Sequence, residues 1–184
     1  PWLGLAIADV EKQGAILLVG SDIRAEIPLL AHRIRKAAME NQARVVTVNP
    51  YALALTFPAE QFTGTPTANL GDLAAIAKAL GAKGGPGNVK DLIAHVTPND
   101  RHQASAQALL QAESGVVLLG ALAAAHPDYA LLKALASIVA KAAKLKLGFL
   151  PAAANAAGAA LAGALPQVEP GAKAVATPGA SIDT

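Results

Sequence analysis

The residues with the clearest chemical potential in this sequence are a glycine, a serine and an aspartate that follow a short apolar run. The stretch "AILLVGSD" begins at Ala15 and places Gly20, Ser21 and Asp22 directly before a helical pattern. A tight turn between a strand and a helix presents free amide groups that attract a phosphate. Asp22 can instead cap the helix with its own carboxylate and fill the position of such an anion. Both interpretations, a phosphate site and a helix cap, stay open for this turn.

Other kinds of site lack support in the sequence. The chain has no cysteine, which excludes disulfides, thiolate zinc sites and iron–sulfur clusters held by its own residues. The glycine-rich stretch "GAKGGPGNVK" from Gly81 lacks the spacing of a nucleotide P-loop and is interpreted as a flexible turn. The serines show no nucleophile-elbow pattern. No metal-ligand spacing links the four histidines, which are His32, His95, His102 and His126. We therefore predict no metal site and no catalytic residue.

Four apolar runs of similar length recur along the chain and predict buried parallel strands. They are "AILLVGS" from Ala15, "RVVTVNP" from Arg44, "GVVLLGA" from Gly115 and "LKLGFLP" from Leu145. Each is rich in β-branched residues or leucine, alternates little and is bounded by glycine or proline, as in strands covered on both faces. Helical patterns follow the first strand and occupy residues 98–113 and 126–144. The fold class predicted is α/β, a Rossmann-like, open and mainly parallel sheet with helices on both faces.

Two segments depart from this alternation. Residues 51–87 are rich in Thr, Pro, Asn and Gly around a short helical pattern, and we expect them to form an excursion from the sheet. Residues 167–184 have almost no large apolar side chain and are expected to be a flexible tail or linker. The α/β domain is therefore assigned to residues 1–166. The chain begins with Pro1 and has a single methionine, so we interpret it as a fragment of a longer polypeptide.

Charge and hydropathy bear on two classes of partner. A formal net charge of +2 with 15% charged residues is too balanced for a nucleic-acid surface. The uncharged run over residues 147–165 consists mostly of alanine and glycine and is interrupted by Pro151 and Asn155. It is expected to be a buried helix of small residues rather than a membrane span. No secretory signal is visible, so an intracellular or cytoplasm-facing domain is expected.

Three stretches resemble one known family. "ILLVGSDIRAEIPLLAHRIRKA", "VVLLGALAAAHPDYALLKALASI" and "GFLPAAANAAGAALAGALP" are similar to the C-terminal part of the large iron–sulfur subunit of NADH:quinone oxidoreductase, the respiratory complex I. The resemblance covers most of the chain up to Pro166, and the order and spacing of the motifs carry it. It implies the fold of molybdopterin-dependent oxidoreductases such as formate dehydrogenases, whose cofactor phosphates and guanine lie at the ends of these strands.

The resemblance also implies which residues belong to an inherited cofactor site. In the cofactor-binding enzymes the first strand typically ends in Gly-Ser-Asn-Pro. Gly20 and Ser21 match that pattern, whereas Asp22 and Ile23 depart from it.

The second strand of those enzymes typically ends in Asp-Pro-Arg. Pro50 matches, but Asn49 and Tyr51 replace the carboxylate that would recognise guanine and the arginine that would neutralise phosphate. Each missing group is normally worth about 1.5 to 3 kcal/mol of charge-assisted hydrogen bonding. The vestigial cofactor-binding candidates are therefore Gly20, Ser21, Asp22, Asn49 and Tyr51.

The function implied by the resemblance is that of a non-catalytic structural domain. The full-length polypeptide would carry iron–sulfur clusters in an N-terminal region outside this fragment and pass electrons from NADH toward quinone, with no cofactor in the fragment itself. Its partners would be that cluster-bearing region and other peripheral-arm subunits, at the cytoplasmic side of the bacterial inner membrane, without nucleic acid or direct membrane insertion. Two alternatives stay open: the cofactor-binding domain of an active molybdopterin-dependent oxidoreductase, and a free-standing nucleotide-binding module.

Overall fold

Helices and strands alternate along most of the chain. A computed structural model describes residues 3–151, 155–165, 168–171 and 173–177. The strands are β1 (Ala15–Val19), β2 (Arg44–Asn49), β3 (Glu60–Thr63), β4 (Gly115–Leu119), β5 (Lys146–Phe149), β6 (Val168–Glu169) and β7 (Lys173–Ala174). The helices are α1 (Ile23–Glu26), α2 (Pro28–Glu40), α3 (Pro66–Ala79), α4 (Val89–His95), α5 (Asp100–Gln111), α6 (Ala121–Ala124), α7 (Tyr129–Ala142) and α8 (Ala156–Leu161), and a 3₁₀ helix spans Ile7–Lys12.

The first five strands form one sheet in the order β3-β2-β1-β4-β5, and every neighbouring pair is parallel. Ala15 is paired with Arg44 of β2 on one side and with Gly115 of β4 on the other. All five residues of β1 and all five of β4 are buried, which explains why their sequences are continuous apolar runs. The predicted fold class, an open parallel α/β sheet with helices on both faces, is confirmed.

Each face of the sheet carries its own hydrophobic core. Alternate strand residues such as Leu17 and Val117 pack with α3, α4, α5 and α7, which we call the α3–α7 layer. Residues of opposite parity such as Ile16 and Leu118 pack with α1, α2 and the 3₁₀ helix, which we call the α2 layer. Among the described residues, α2 is the one long helix of the α2 layer, because residues 50–59 between β2 and β3 form no helix; Phe57 from that connection packs into this core instead.

The segment interpreted as an excursion, residues 51–87, differs from that expectation because it contains an element of the sheet. Strand β3 lies within it and pairs with β2. Only Phe62 of its four residues is buried, so the strand has no apolar run that the sequence pattern could reveal. Helix α3 in the same segment starts at Pro66, with the Thr65 hydroxyl accepting the amide of Ala68 at 3.3 Å. Seven of its residues are buried, five of them in the core of the α3–α7 layer.

The glycine-rich stretch after α3 also differs in part, because it leads into helix α4 at Val89 rather than remaining a turn throughout.

The described part of residues 147–165 does not form the expected buried helix. Strand β5 ends at Phe149, and helix α8 spans six residues, none of which is buried. The motif "LPAAAN" lies partly outside the described residues, as do positions 1–2, 166–167, 172 and 178–184. Within the proposed tail, β6 and β7 pair as a short antiparallel sheet. Among the described residues no helix is long and apolar enough to cross a membrane. The domain boundary at 166 and the role of the tail stay predictions.

Candidate functional site

The candidate site lies where the strand order reverses, between the carboxyl ends of β1 and β4. In an open parallel sheet the helices leave these two strands toward opposite faces, and ligands bind in the crevice that opens there. Residues 20–22 follow β1 at this point, and residues 120–124 follow β4. We call the space between these two segments the switch-point crevice.

Two glycines bring the segments of the switch-point crevice into direct contact. Gly20 adopts a φ of 57°, and a Cβ atom at this position would lie 2.6 Å from the Cα atom of Ala123. A Cβ atom at Gly120 would lie 2.7 Å from the Gly20 carbonyl oxygen. The amide of Ala123 donates a hydrogen bond to that carbonyl at 2.8 Å, and the amide of Gly120 donates to Val19 at 3.0 Å. The protein's own backbone therefore fills the centre of the crevice.

Asn49 holds the turn after β1 from the side of β2. Its Oδ1 accepts the amide of Ser21 at 2.8 Å, and its Nδ2 donates to the Ser21 carbonyl at 3.1 Å. Both residues are fully buried. An aspartate in this position could accept the first hydrogen bond but could not donate the second. The replacement that the family resemblance presents as a lost ligand contact therefore has a structural function in this chain.

A carboxylate from within the chain occupies the amide groups at the mouth of the crevice. Glu26 Oε1 accepts the backbone amide of Asp22 at 2.8 Å, and Glu26 Oε2 accepts the backbone amide of Ala121 at 2.9 Å. The two amides come from the segments after β1 and after β4, so one side chain joins both walls. The Asp22 carboxylate accepts the amide of Ala25 at a longer 3.4 Å, as a helix cap does.

Three of the five vestigial candidates, Gly20, Ser21 and Asp22, form one wall of the switch-point crevice, and Asn49 supports that wall from β2. Tyr51 does not take part. Its side chain is 47% exposed, and no hydrogen bond to it is found among the described residues. The nearby loop is held instead by Arg24, whose guanidinium donates to the Ala54 carbonyl. Sequence reasoning missed Glu26, Gly120 and Ala123. The single available signal was the glycine that follows each central strand.

A histidine and a carboxylate that are distant in sequence form a pair elsewhere in the domain. His102 Nδ1 accepts the amide of Asn99 at 3.2 Å, so the proton of the neutral ring is on Nε2, which donates to Asp72 Oδ1 at 3.0 Å. The ring stacks on Phe62 with centroids 4.8 Å apart. His102 is a buried part of the capping box of α5, and this pair joins α5 to α3. It is a structural connection, and no cluster of three metal-ligating side chains occurs in the described ranges.

One cavity lies away from the crevice, and a second, smaller one borders it through Gly120 and Ala124. A groove of about 1040 Å³ opens at the amino ends of the strands, between the end of α2, the start of β3 and α5. A smaller pocket of about 340 Å³ lies at the carboxyl ends of β4 and β5 and is lined by Tyr129, Lys133 and Phe149. The Lys133 ammonium stands 5.4 Å from the centroid of the Phe149 ring. Neither cavity contains any of the five vestigial candidates.

Comparisons with known proteins find a family and a fold. The family model described as molybdopterin oxidoreductase matches residues 1–179. No curated protein sequence matches the chain. Among solved structures, a chain of the formyltransferase/hydrolase complex (FhcABCD) from Methylorubrum extorquens, crystallised with methylofuran, is similar with a TM-score of 0.50 and 19% identity. The match covers 92% of this chain and 46% of that one, so this chain spans less than half of its structural relative. At this identity the likeness shows the fold alone.

Proposed function

Because this chain belongs to the molybdopterin oxidoreductase family, we propose that it is a non-catalytic structural domain of a multisubunit oxidoreductase. A domain of this kind keeps the sheet and the helix layers of its family but holds no cofactor between its loops. Its contribution is to support a redox-active region and to contact neighbouring subunits.

The observation that carries the proposal is the filled switch-point crevice. A cofactor with phosphate groups needs free amides and open space at the carboxyl ends of the strands. Here the amides of Asp22 and Ala121 already donate to Glu26, and Gly20 is in contact with Ala123. The residues present therefore do not fit the cofactor of the family at this position. The blocking groups are backbone atoms and a side chain of the same chain, so a phosphate could enter only if both the Glu26 side chain and the turn after β1 moved.

The finer proposal is that the parent chain is the large iron–sulfur subunit of NADH:quinone oxidoreductase. The three stretches quoted above support it, by their order and spacing, and the family match supports the coarser assignment. Under this proposal the iron–sulfur clusters lie in an N-terminal region of the parent chain, and the partners are that region and other peripheral-arm subunits. The complex would be attached to the cytoplasmic side of the bacterial inner membrane. The structural relative also comes from a complex of several subunits, which is compatible with a domain built to contact partners.

The alternative, a cofactor-binding domain of an active molybdopterin-dependent enzyme, is less well supported. Gly20, Ser21 and Pro50 match the pattern of such enzymes. However, Ser21 is fully buried and its backbone is held by Asn49 on both sides, which leaves neither its amide nor its carbonyl for a ligand. The alternative therefore requires a different backbone path after β1.

Two measurements on the purified full-length protein test the proposal. The first is its molybdenum and pterin content, with a molybdenum enzyme prepared in the same way as the positive control. The second is calorimetric titration with GDP, GTP and NADH. We expect neither molybdenum nor pterin, and no heat of binding at this domain.

The same titration is repeated with the variant Asn49→Ala, which removes both side-chain hydrogen bonds to the Ser21 backbone without adding a charge. A change in affinity in this variant assigns the binding to the turn after β1. A guanine nucleotide that binds the unmodified protein in the micromolar range or tighter, with affinity reduced by Asn49→Ala, would overturn the proposal. Stoichiometric molybdenum would do the same.

A further inference from the structure

The two helix layers differ in how much apolar surface they leave uncovered. In the α2 layer, Leu29 and Met39 of α2 are 77% and 53% exposed, and Ile7 of the 3₁₀ helix is 47% exposed. The described helices of the α3–α7 layer expose one large apolar side chain, Leu110 at 55%. Single exposed leucines are common on protein surfaces, and exposed apolar side chains indicate an interaction site when they belong to a patch rimmed by polar groups.

These apolar side chains of α2 share a face with its cations. Leu30, Ile34 and Ala37 turn toward the core, so the outward half of the helix carries Leu29, His32, Lys36 and Met39, with Arg33 and Arg35 along its two opposite edges. We call this side the basic outer face of α2. It consists of Leu29, His32, Arg33, Arg35, Lys36 and Met39.

The charge of this face is positive and incompletely neutralised. Residues 23–40 carry four arginine or lysine side chains and two glutamates, of which Glu26 is directed to the backbone amides of the crevice. Glu11 of the 3₁₀ helix accepts Arg33 at 2.6 Å and Lys36 at 3.2 Å, which neutralises one charge of the pair. Arg35 is exposed and has no ion-pair partner in the part of the chain that the structure describes. A cationic centre is thus flanked by apolar side chains at both ends of the helix.

We propose that the basic outer face of α2 binds an acidic and partly apolar surface of another protein in the same assembly. Carboxylates of the partner would pair with Arg35 and Lys36, and its apolar side chains would cover Leu29 and Met39. Complementary charge of this kind fixes orientation, while the apolar contacts supply affinity. The inference rests on the proposed structural function, since a scaffold domain acts through such contacts.

Charge distribution favours a protein over a polyanion as the occupant. Glu11 and Glu40 lie among the cations of this layer and would repel the phosphates of a nucleic acid or of a lipid surface. A protein surface of mixed polarity can place a donor opposite each of these carboxylates. Arg33, Arg35 and Lys36 also share the basic outer face with exposed leucine and methionine side chains, which a phosphate backbone would leave uncovered.

A zero-length cross-link in the native assembly tests the proposal. A carbodiimide joins a lysine amine to a carboxylate only when the two are in ion-pair contact, and mass spectrometry then identifies both peptides. We expect Lys36 of the full-length protein to be linked to an aspartate or glutamate of another polypeptide. In the variant Leu29→Ser/Arg35→Glu that link should fall about tenfold or more, since the variant reverses a charge and removes an apolar contact.

The variant Leu110→Ser/Lys90→Glu is the matched control, because it makes the same two kinds of change on exposed residues of the other layer. It should leave the link unchanged. Links from Lys36 to Glu11 and from Lys12 to Asp9, whose atoms are 3.2 and 2.9 Å apart, show that the lysines react.

Intrachain links alone in the intact assembly would overturn the proposal. So would binding of the protein to phosphatidylserine vesicles or to double-stranded DNA that the first variant abolishes and the control retains, because the occupant would then be a lipid or a nucleic acid. Neither variant touches the crevice, so failure here leaves the cofactor and nucleotide measurements as a separate test of the proposed function.

Discussion

The carboxylate of Glu26 should be a main contributor to the stability of the switch-point crevice. It accepts two backbone amides, from Asp22 at 2.8 Å and from Ala121 at 2.9 Å, and hydrogen bonds to charged groups are worth about 1.5 to 3 kcal/mol each. Glu26 is half-buried, so the low end of that range applies. We expect Glu26→Ala to lower the free energy of unfolding by about 3 kcal/mol, which is roughly 6 to 12 °C in Tm for a domain of this size.

Glu26→Gln refines this prediction because it keeps the shape and removes the charge. Its carbonyl oxygen can accept one amide, but its NH₂ group then faces the second amide, so one charge-assisted hydrogen bond is lost. The expected loss is about 2 kcal/mol. Glu40→Gln on the exposed side of α2 is the control and should change stability by no more than about 0.5 kcal/mol.

Thermal and urea unfolding of the two variants and the control give the energies, and amide hydrogen exchange locates the effect. Exchange at Asp22 and Ala121 should accelerate in Glu26→Gln while the amides within β1 and β4 change less. The reasoning is refuted if Glu26→Gln unfolds with the same free energy as the unmodified protein, or if exchange at the two amides is unchanged.

Three further perturbations test other parts of the structure. Asn49→Asp should lower the free energy of unfolding by about 3 kcal/mol in urea titrations, because it buries a carboxylate that cannot donate to the Ser21 carbonyl; an unchanged midpoint would contradict the role given to this amide. Gly71→Ala in α3 should raise stability by about 0.5 to 1 kcal/mol in the same assay, since no atom lies within 4 Å of the added Cβ and the helix interior favours alanine; a destabilised variant would argue against the helix at this position. Hydrogen bonds from Arg33 and Lys36 hold the pKa of the Glu11 carboxyl below its ordinary value. The ionised carboxylate therefore stabilises the fold fully above the unfolded-state pKa of about 4.3, and this stability is lost as the pH falls through the lower folded-state pKa. Unfolding measured from pH 7 to pH 3 should therefore show a smaller acid loss in Glu11→Gln, and parallel curves would refute the assignment.

The sequence predicted the central strands because their environment leaves a strong pattern. Strands β1 and β4 are buried on both faces, so each is an uninterrupted apolar run that ends at a glycine. Strand β3 escaped prediction because it is an edge strand with one buried residue, Phe62. The prediction of a buried helix over residues 147–165 was wrong because an alanine-rich composition suits a buried helix and an exposed one equally well. The helix in this range, α8, has no buried residue.

The site was predictable only in the part that local sequence encodes. Parallel strands end at one edge of the sheet, which is why Gly20 and Asn49 could be expected near each other. The hydrogen bond from the Ala121 amide to the Glu26 carboxylate joins positions 95 residues apart, and no feature of either neighbourhood indicates the other. The vestigial assignment of Asn49 rested on the family pattern, and its pair of hydrogen bonds with Ser21 became visible only in three dimensions.

The position of β1 between β2 and β4 has a consequence for the order of folding. Ala15 pairs with Arg44 about 30 residues later and with Gly115 about 100 residues later. The longer loop costs roughly 1 kcal/mol more to close, so the unit of β1, α2 and β2 should form first, both on refolding and as the chain leaves the ribosome. The hydrogen bond from the Asp22 amide to Glu26 is local to that unit and can form before β4 has been synthesised. The nascent chain can therefore hold the Glu26 carboxylate on the Asp22 amide before residues 120–124 are in place, so this amide is already occupied when the second wall of the crevice forms.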